Sequence, residues 1–174
     1  MALNCKISKG LSASCSPTVA GVLRLAVANW DESFTFTQST GSCLVDTIDL
    51  GSEKVYQIDV ADNSAVATST GTIGANGSSK YHMHSVSGLI QKLDCDALDQ
   101  YNNLFLGRFI VFVETRNHDV YVFGVDNGLT ASAFEYQTGT GEGDATGISF
   151  TFDGAEPNAP LKVADWATVK ALMN

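Results

Sequence analysis

Alternation of apolar and polar residues with a period of two is the dominant pattern in this chain. In Phe34–Thr37 two phenylalanines alternate with threonines, and in Ile148–Asp153 apolar residues alternate with Ser, Thr and Asp. Successive side chains of a strand point to opposite faces, so this pattern is typical of sheets with one buried face. It predicts the strands Val22–Ala28, Ser33–Gln38, Leu44–Leu50, Lys54–Val60, Ala65–Ile73, Lys80–Val86, Arg108–Glu114, Asp119–Val125, Thr130–Gln137 and Gly147–Phe152.

Turn-forming residues separate several of these strands. Arg116–Asp119 stands between two apolar strands and is typical of a hairpin loop. Asp126–Gly128 predicts a tight turn, because Asn and Gly accept a positive φ at little cost. The segment Thr138–Gly147 contains four glycines and two carboxylates, which predicts a flexible acidic loop.

Two segments depart from this period and predict helices. Leu89–Leu106 carries apolar residues at helical spacing between Gly88 and Gly107. Ala164–Met173 follows two prolines, and Asp165 is suited to cap a short helix. Strands on both sides of one helix, without βαβ alternation, predict a mainly β fold. We expect an antiparallel β-sandwich or barrel with one flanking α-helix and a short C-terminal helix.

The composition favours a self-assembling protein over one that grips nucleic acid. Charged residues make up 17% of the chain, against about 25% in typical soluble domains. The net charge of −9 is opposite to the clustered Lys and Arg that hold nucleic-acid backbones. The sequence shows neither a membrane-spanning segment nor the apolar core of a signal peptide before Ser12. We expect one domain over residues 1–174, made in the cytoplasm and without a membrane partner.

Residues that bind metals or act as nucleophiles form no recognisable motif. The cysteines, at positions 5, 15, 43 and 95, lack paired spacing, and we expect reduced thiols that serve as small apolar side chains. His82 and His84 would share one face of a strand, where they suit chelation of a cation. The interpretation favoured over metal binding is two polar residues on a solvent-exposed face. His118 is predicted to be a solvated turn residue.

Other motifs for catalysis or ligand binding are absent or lack the neighbouring residues that they require. No serine lies in the Gly-x-Ser-x-Gly elbow. Gly139–Asp144 has the glycine content of a phosphate-binding turn, but its two carboxylates would repel phosphate and no Lys follows. Asp94, Asp96 and Asp99 are expected on the wet face of the predicted helix. We therefore predict a protein that is not an enzyme and needs no cofactor.

The segment from the predicted helix to the prolines carries a more specific pattern. The apolar strand Arg108–Glu114 precedes Asp119–Leu129, which ends in Asp-Asn-Gly-Leu, and Gly143–Gly147 leads into Phe150–Pro157. Over residues 88–160 the chain resembles tail and virion structural proteins of phages and prophages. In these a hydrophobic hairpin ends in an Asn-Gly-Leu turn and a Gly-Asp loop leads into the last strand. The N-terminal half carries no pattern of this kind.

The resemblance implies a tail-tube subunit located in the virion. Such subunits form hexameric rings that stack into a tube for DNA. The partners would be identical subunits, other virion tail proteins and DNA that passes without specific binding. An acidic or neutral lumen suits this role, because Lys and Arg would retain a polyanion.

In a tube of this kind we expect the inner wall to be formed by hairpin 108–125 and strand 54–60. We expect neighbouring subunits to be contacted by loops 61–79 and 138–147. The expected interface residues are Ala75, Asn76, Gly77, Gly139, Gly141, Glu142, Gly143 and Asp144.

Three other functions stay open at this point. A head-decoration or head–tail connector subunit would share the same features. A monomeric carbohydrate-binding β-sandwich would use an aromatic platform, although the aromatic residues are dispersed and mostly at core positions. A metal enzyme would use His82 and His84. The aromatic candidates are Trp30, Trp166, Tyr81, Tyr101, Tyr121 and Tyr136.

Overall fold

A computed structural model describes residues 10–11, 16–38, 44–77, 79–91 and 95–173. The strands in these ranges are β1 (Val22–Asn29), β2 (Thr35–Gln38), β3 (Leu44–Asp49), β4 (Tyr56–Ile58), β5 (Val66–Ile73), β6 (Lys80–Ile90), β7 (Arg108–Thr115), β8 (Val120–Phe123), β9 (Leu129–Gln137), β10 (Gly147–Glu156) and β11 (Leu161–Val163). The helices are α1 (Cys95–Leu106) and α2 (Trp166–Lys170), and Ala75–Gly77 forms a 3₁₀ turn.

The strands form two layers that are joined through β7. The central sheet has the order β4-β1-β7-β8-β11-β3-β2 and is antiparallel except for the β11–β3 pair. The outer sheet has the order β9-β10-β6-β5 and is antiparallel throughout. A short pairing of Arg108–Phe109 with Leu129–Thr130 links the two sheets. Within the described strands β2, β4 and β5 end the sheets without meeting, so the fold is an open sandwich rather than a barrel.

Strand β7 is buried on both faces and belongs to two cores. Its residues Phe109–Glu114 are buried throughout. Ile110 and Phe112 pack in one core with residues of α2, while Val111 and Val113 pack in the other core against the outer sheet. A strand covered on both sides needs apolar residues at consecutive positions, which explains the continuous apolar run.

Each of the two helices packs against one of the two sheets. Asp165 caps α2 because its Oδ1 accepts a hydrogen bond, 2.9 Å long, from the backbone N–H three residues later. Trp166 and Val169 of α2 are buried in the core of the central sheet. Helix α1 packs on β9, where the Tyr101 ring meets the Phe134 ring edge-on with 4.8 Å between centroids.

The predicted fold class is confirmed. The chain is mainly β and mostly antiparallel, with one flanking helix and a short C-terminal helix. Helix α2 is shorter than the predicted segment 164–173. The prediction missed β11, because three residues are too few to show a period of two. This strand forms through its pairing with β3 and β8.

The predicted start of the first helix is wrong. Strand β6 continues to Ile90, and α1 begins at Cys95, while residues 92–94 lie outside the described part. Gly88, expected to precede the helix, lies inside β6. A Cβ at this position would come within 3.0 Å of the Phe150 ring. The glycine therefore allows a core side chain to approach the strand and does not mark its end.

Candidate functional site

Strand β5 presents an open hydrogen-bonding edge. It pairs in register with β6 over eight residues, from Val66 to Ile73, without a bulge, and no described strand lies on its other side. It contains neither a charged residue nor a proline, two devices that commonly block the edges of monomeric proteins. The side chains of Val66 and Ile73 are 53% and 68% exposed. The other terminal strands, β2 and β4, have only four and three residues.

An apolar groove of about 320 Å³ adjoins this edge. Val66 and Ala67 of β5 form one side, and Val113 of β7 and Tyr121 of β8 contribute to the other. A partner strand that pairs with β5 therefore finds apolar surface next to the backbone edge.

The exposed face of the outer sheet is rich in hydroxyl groups. Cross-strand partners share a face, so the register assigns alternate residues of β5, β6, β9 and β10 to this side. Its charged residues are Glu135 and Asp153, and none of its described strand positions holds Lys or Arg. We call this surface the hydroxyl face. The serines and threonines that the register assigns to it are Thr68, Thr70, Thr72, Ser85, Ser87, Thr130, Ser149 and Thr151.

The two loops that were predicted to contact neighbouring subunits lie at opposite ends of the outer sheet. Ala75–Gly77 forms the tip of the β5–β6 hairpin, and the side chain of Asn76 lies outside what the structure describes. The loop 138–146 joins β9 to β10 near the far end of β6. Eleven residues of β6 separate the two ends by on the order of 30 Å. Within one subunit the two loops are not brought together.

Asp144 closes the β9–β10 loop on itself. Its Oδ2 accepts hydrogen bonds from the backbone N–H of Thr140 at 2.8 Å, from that of Gly141 at 2.7 Å and from the Thr140 hydroxyl at 2.8 Å. These donors lower the pKa of the Asp144 carboxyl, because they favour its charged form. The loop predicted to be flexible is thus an internally bonded turn. It holds together the predicted interface residues Gly139, Gly141, Glu142, Gly143 and Asp144.

The predicted inner wall is wrong for the hairpin. Strand β7 is covered on both faces within the subunit, so hairpin 108–125 has no free face on its longer strand. In segment 54–60, Val55 is buried and Tyr56 is exposed at the open edge of β4. The hydroxyl face is the broad strand surface that is exposed. In the sequence it is indicated by the many Ser and Thr residues of β5.

A polar cleft of about 590 Å³ opens between β2, the β8–β9 turn and the segment that joins β10 to β11. This volume is within the range of small-molecule sites in proteins. Aromatic and aliphatic side chains form its walls together with carboxylates and amides, and the described lining contains no Lys or Arg. The residues that define the polar cleft are Trp30, Glu32, Phe34, His84, Asp126 and Asn158.

His84 lies buried at this cleft, which corrects the prediction of a solvent-exposed histidine pair. It is 2% exposed, and its ring meets Phe123 edge-on with 5.4 Å between centroids. Its Nδ1 accepts a hydrogen bond from the Gly124 N–H at 3.4 Å, so Nε2 carries the proton of the neutral ring. Nε2 is buried, and the backbone carbonyl of Asn158 acts on the ring as a hydrogen-bond acceptor. Burial, and secondarily His82, lower the pKa of His84 and keep the ring neutral at pH 7.

Glu156 fixes the turn at the rim of the cleft. It is 1% exposed, and its two carboxylate oxygens accept hydrogen bonds from the backbone N–H groups of Asn127 at 2.9 Å and Asp126 at 3.0 Å. Burial raises the pKa of Glu156, although these N–H donors partly offset the effect. The register places Glu156 opposite His82 on β6. Sequence reasoning missed this residue because no local motif surrounds it.

Trp30 is held in one orientation at the cleft wall. Its Nε1 donates a hydrogen bond to the Val125 carbonyl at 3.1 Å, and the Arg108 guanidinium lies over the ring, 5.0 Å from its centroid. Of the six aromatic residues considered for a carbohydrate platform, Trp30 is the one that lines the polar cleft. Trp166 is buried in the core, as predicted for most of this set.

A second charged cluster stabilises the β7–β8 hairpin. Glu114 is 4% exposed, and its carboxylate lies 3.4 Å from Arg24 Nε and 3.0 Å from His118 Nδ1. His118 has a φ of +63°, which confirms its place in the turn. Because a buried carboxylate needs a partner, we assign this cluster a structural role.

The cysteine prediction is partly outside the described chain and partly wrong. Cys5, Cys15 and Cys43 lie outside the described residues. Cys95 has a free thiol at the start of α1, and the residue is exposed, so it does not fill the core.

In the described ranges no group of three or more His, Cys, Asp or Glu is arranged to hold a metal ion, so His82 and His84 gain no third ligand there. None of the helices in the described part of the chain has both the length and the apolar content of a membrane span. Comparison of the chain with protein-family models, curated proteins and solved structures finds no match.

Proposed function

We propose that this chain is a structural subunit of a phage tail tube that assembles with identical copies through the open edge of β5. The observation that carries the proposal is a strand edge of eight residues without a charge, a proline or a bulge. Natural monomers normally block such an edge, because it pairs readily with another strand. An identical copy offers a suitable partner, since the central sheet also ends in terminal strands, β2 and β4.

The energy of this pairing favours a closed ring over a single dimer. Because β2 and β4 have four and three residues, pairing of β5 with either one forms at most about four inter-strand hydrogen bonds, each with a net contribution of about 1 kcal/mol. Association costs about 4–15 kcal/mol in lost freedom of motion. One edge therefore gives marginal affinity, which the adjoining apolar groove increases. A ring binds every subunit at two edges and makes assembly cooperative and dependent on concentration.

The hydroxyl face suits the lumen of such a tube. The rotational symmetry of a ring gives the hydroxyl face of every copy the same orientation relative to the ring axis, so these faces together could line the lumen. Its Ser and Thr side chains are neutral, and Glu135 and Asp153 repel phosphate. Basic side chains would instead hold DNA through phosphate contacts and slow its passage. This surface replaces the 108–125 hairpin in the proposed tube.

A charge placed on the β5 edge tests the proposal. Thr70 is exposed in the middle of β5, so Thr70→Lys should block pairing without disturbing a core. Thr47→Lys is the matched control, because Thr47 is exposed on β3, which β2 and β11 flank on both sides. Light scattering and negative-stain microscopy should show rings or tubes for the unaltered chain and for Thr47→Lys, and monomers for Thr70→Lys.

Each other outcome contradicts a defined part of the proposal. An unaltered chain that stays monomeric at high concentration would contradict self-assembly. If Thr70→Lys assembles as well as the control, the copies do not meet at β5. Closed shells or single rings without stacking would indicate the head-decoration or connector role in place of the tube.

A further inference from the structure

We propose that residues 2–8 of one copy bind as an extra strand along the β5 edge of a second copy, with their apolar side chains in the adjoining groove. The proposal rests on the proposed assembly through β5, because it names the segment that pairs with that edge. Residues 1–9 precede the described ranges, so the segment is defined by its sequence.

The outer sheet has fewer strands than the central sheet, which leaves space beside β5. Four described strands form the outer sheet and seven form the central sheet. Strand β5 is the last outer strand, whereas the central sheet continues beyond β8 with β11, β3 and β2. Pro160, which immediately precedes β11, lines the groove together with Val66 of β5 and Tyr121 of β8. A fifth outer strand beside β5 would therefore cover the groove and extend the outer layer over this part of the central sheet.

The lining of the groove sets the sequence pattern of a strand that fits there. Ala67, Val113 and Phe123 contribute apolar surface, and none of the described residues that line the groove is charged. Only alternate side chains of a strand beside β5 point toward the groove, because successive side chains face opposite sides. The matching strand therefore has apolar residues at every second position.

Residues 2–8 have this pattern. The apolar residues Leu3, Cys5 and Ile7 alternate with polar ones, and the segment contains no proline. Such alternation is typical of a strand with one buried face. The segment has seven residues, against four in β2 and three in β4. It can therefore form more hydrogen bonds with the eight residues of β5 than either terminal strand of the central sheet can.

The charge of the segment suits an acidic partner. Residues 1–15 contain Lys6, Lys9 and no Asp or Glu, so they contribute +2 to the net charge of −9 and the rest of the chain contributes −11. The acidic parts of two copies repel each other, whereas this segment is attracted to the second copy. Asp59 and Asp62, both exposed, lie just before β5. Exposed ion pairs contribute little affinity, so hydrogen bonds and apolar burial would supply most of it.

The connection to the described chain is long enough to reach a second copy. The chain passes the groove at its start, since Gly21 and Val22 line it. The span from residue 8 to Gly21 is up to about 45 Å, and a domain of this size is about 40 Å across. A segment that filled the groove of its own copy would block the β5 edge of that copy. The proposed assembly therefore places the segment on the next copy.

A disulfide cross-link tests where residues 2–8 bind. Ser69 lines the groove near the middle of β5, and Cys5 is the middle residue of the segment. In the full chain, Ser69→Cys should form a disulfide with Cys5 on mild oxidation, because paired strands bring such residues within bonding distance. Thr70→Cys, on the opposite face of β5, is the matched control and should not link to Cys5. Mixing ¹⁵N-labelled and unlabelled copies before assembly should give linked peptides that combine both labels in mass spectrometry.

A pair of substitutions tests the same contact without a new thiol. Ile7→Asp places a charge toward the apolar groove and should raise the concentration needed for assembly at least about tenfold in light scattering, because burial of the isoleucine is lost. Ser8→Asp adds the same charge on the outward side of the segment and should assemble at a lower concentration than Ile7→Asp.

The outcomes separate this proposal from the assembly on which it rests. Linked peptides of one label only would mean that the segment fills its own groove, which overturns binding between copies. If the unaltered chain assembles but Cys5 does not link to position 69, or Ile7→Asp assembles as well as Ser8→Asp, residues 2–8 are not the partner strand and assembly through β5 still stands. An unaltered chain that never assembles would reject both proposals.

Discussion

Replacing Gly147 by alanine should strongly destabilise the junction of β10 and β6. Gly147 has a φ of +138°, and an added Cβ would lie 2.0 Å from the Ile90 carbonyl oxygen and 2.9 Å from the Ile90 carbonyl carbon. Both atoms belong to the backbone of β6, so no change of rotamer relieves the contact. Since Cβ atoms essentially never approach closer than 3.0 Å, the two strand ends must separate by about 1 Å, the difference between 3.0 and 2.0 Å.

Two costs combine in this substitution. An alanine forced into a left-handed backbone region costs about 1–3 kcal/mol. Overpacking against a backbone that cannot move freely costs about 1–3 kcal/mol more. The free energy of unfolding should therefore fall by about 2–6 kcal/mol. In a chain of this size 1 kcal/mol shifts the melting temperature by about 2–4 °C, so the expected decrease is roughly 4–24 °C.

Gly143→Ala is the matched control for this prediction. Gly143 lies in the loop that precedes Gly147, but an added Cβ there has no atom within 4 Å, and its φ is outside the left-handed range. Its substitution should change stability by less than about 1 kcal/mol. Urea and thermal unfolding followed by circular dichroism measure both variants. Equal stabilities of Gly147→Ala and Gly143→Ala would refute the close contact between the two strand ends.

Three further changes test the core, the helix cap and the buried histidine. Phe112→Ala removes a fully buried ring and should lower the free energy of unfolding in urea by about 3–5 kcal/mol; a loss below about 1 kcal/mol would contradict its place in the core. Asp165→Ala removes the cap of α2 and should lower the melting temperature by less than Phe112→Ala does. Burial lowers the pKa of folded His84 below the usual 6.5, so its contribution to stability is lost as pH falls below 6.5. Burial raises the pKa of Glu156, which makes the folded chain more stable on acidification and so opposes the effect of His84. The test is therefore the difference between the unaltered chain and His84→Gln. The stability of His84→Gln should fall less on acidification than that of the unaltered chain.

The sequence located the strands well but did not determine which face of each was buried. His82 and His84 were correctly placed on one side of a strand, and the error was the choice of side. That choice depends on Phe150 and Phe152 of β10, which share the inner face with Val86 through pairing that the local sequence does not encode. A histidine is compatible with either face, so the local pattern leaves the question open.

The candidate sites differ in how far the sequence indicates them. The uncharged composition of β5 is visible in the sequence, but its position at the end of a sheet is set by long-range pairing. The polar cleft draws Trp30, His84, Asp126 and Asn158 from four separate segments. No spacing rule connects these residues, because they meet only after β6 has paired with β10 and Glu156 has fixed the β8–β9 turn.

The charge distribution of the chain indicates how ionic strength should act on assembly. With a net charge of −9 on every copy, subunits repel one another, and the repulsion grows with each copy added. The β5 edge carries no charge, so hydrogen bonds and apolar burial, rather than ion pairs, would hold the copies together. Salt near 0.1 M reduces the screening length to about 10 Å and should therefore promote assembly, measured by light scattering against salt concentration. Assembly that dissolves as salt is added would mean that charge pairs join the subunits, and β5 would then not be the main contact.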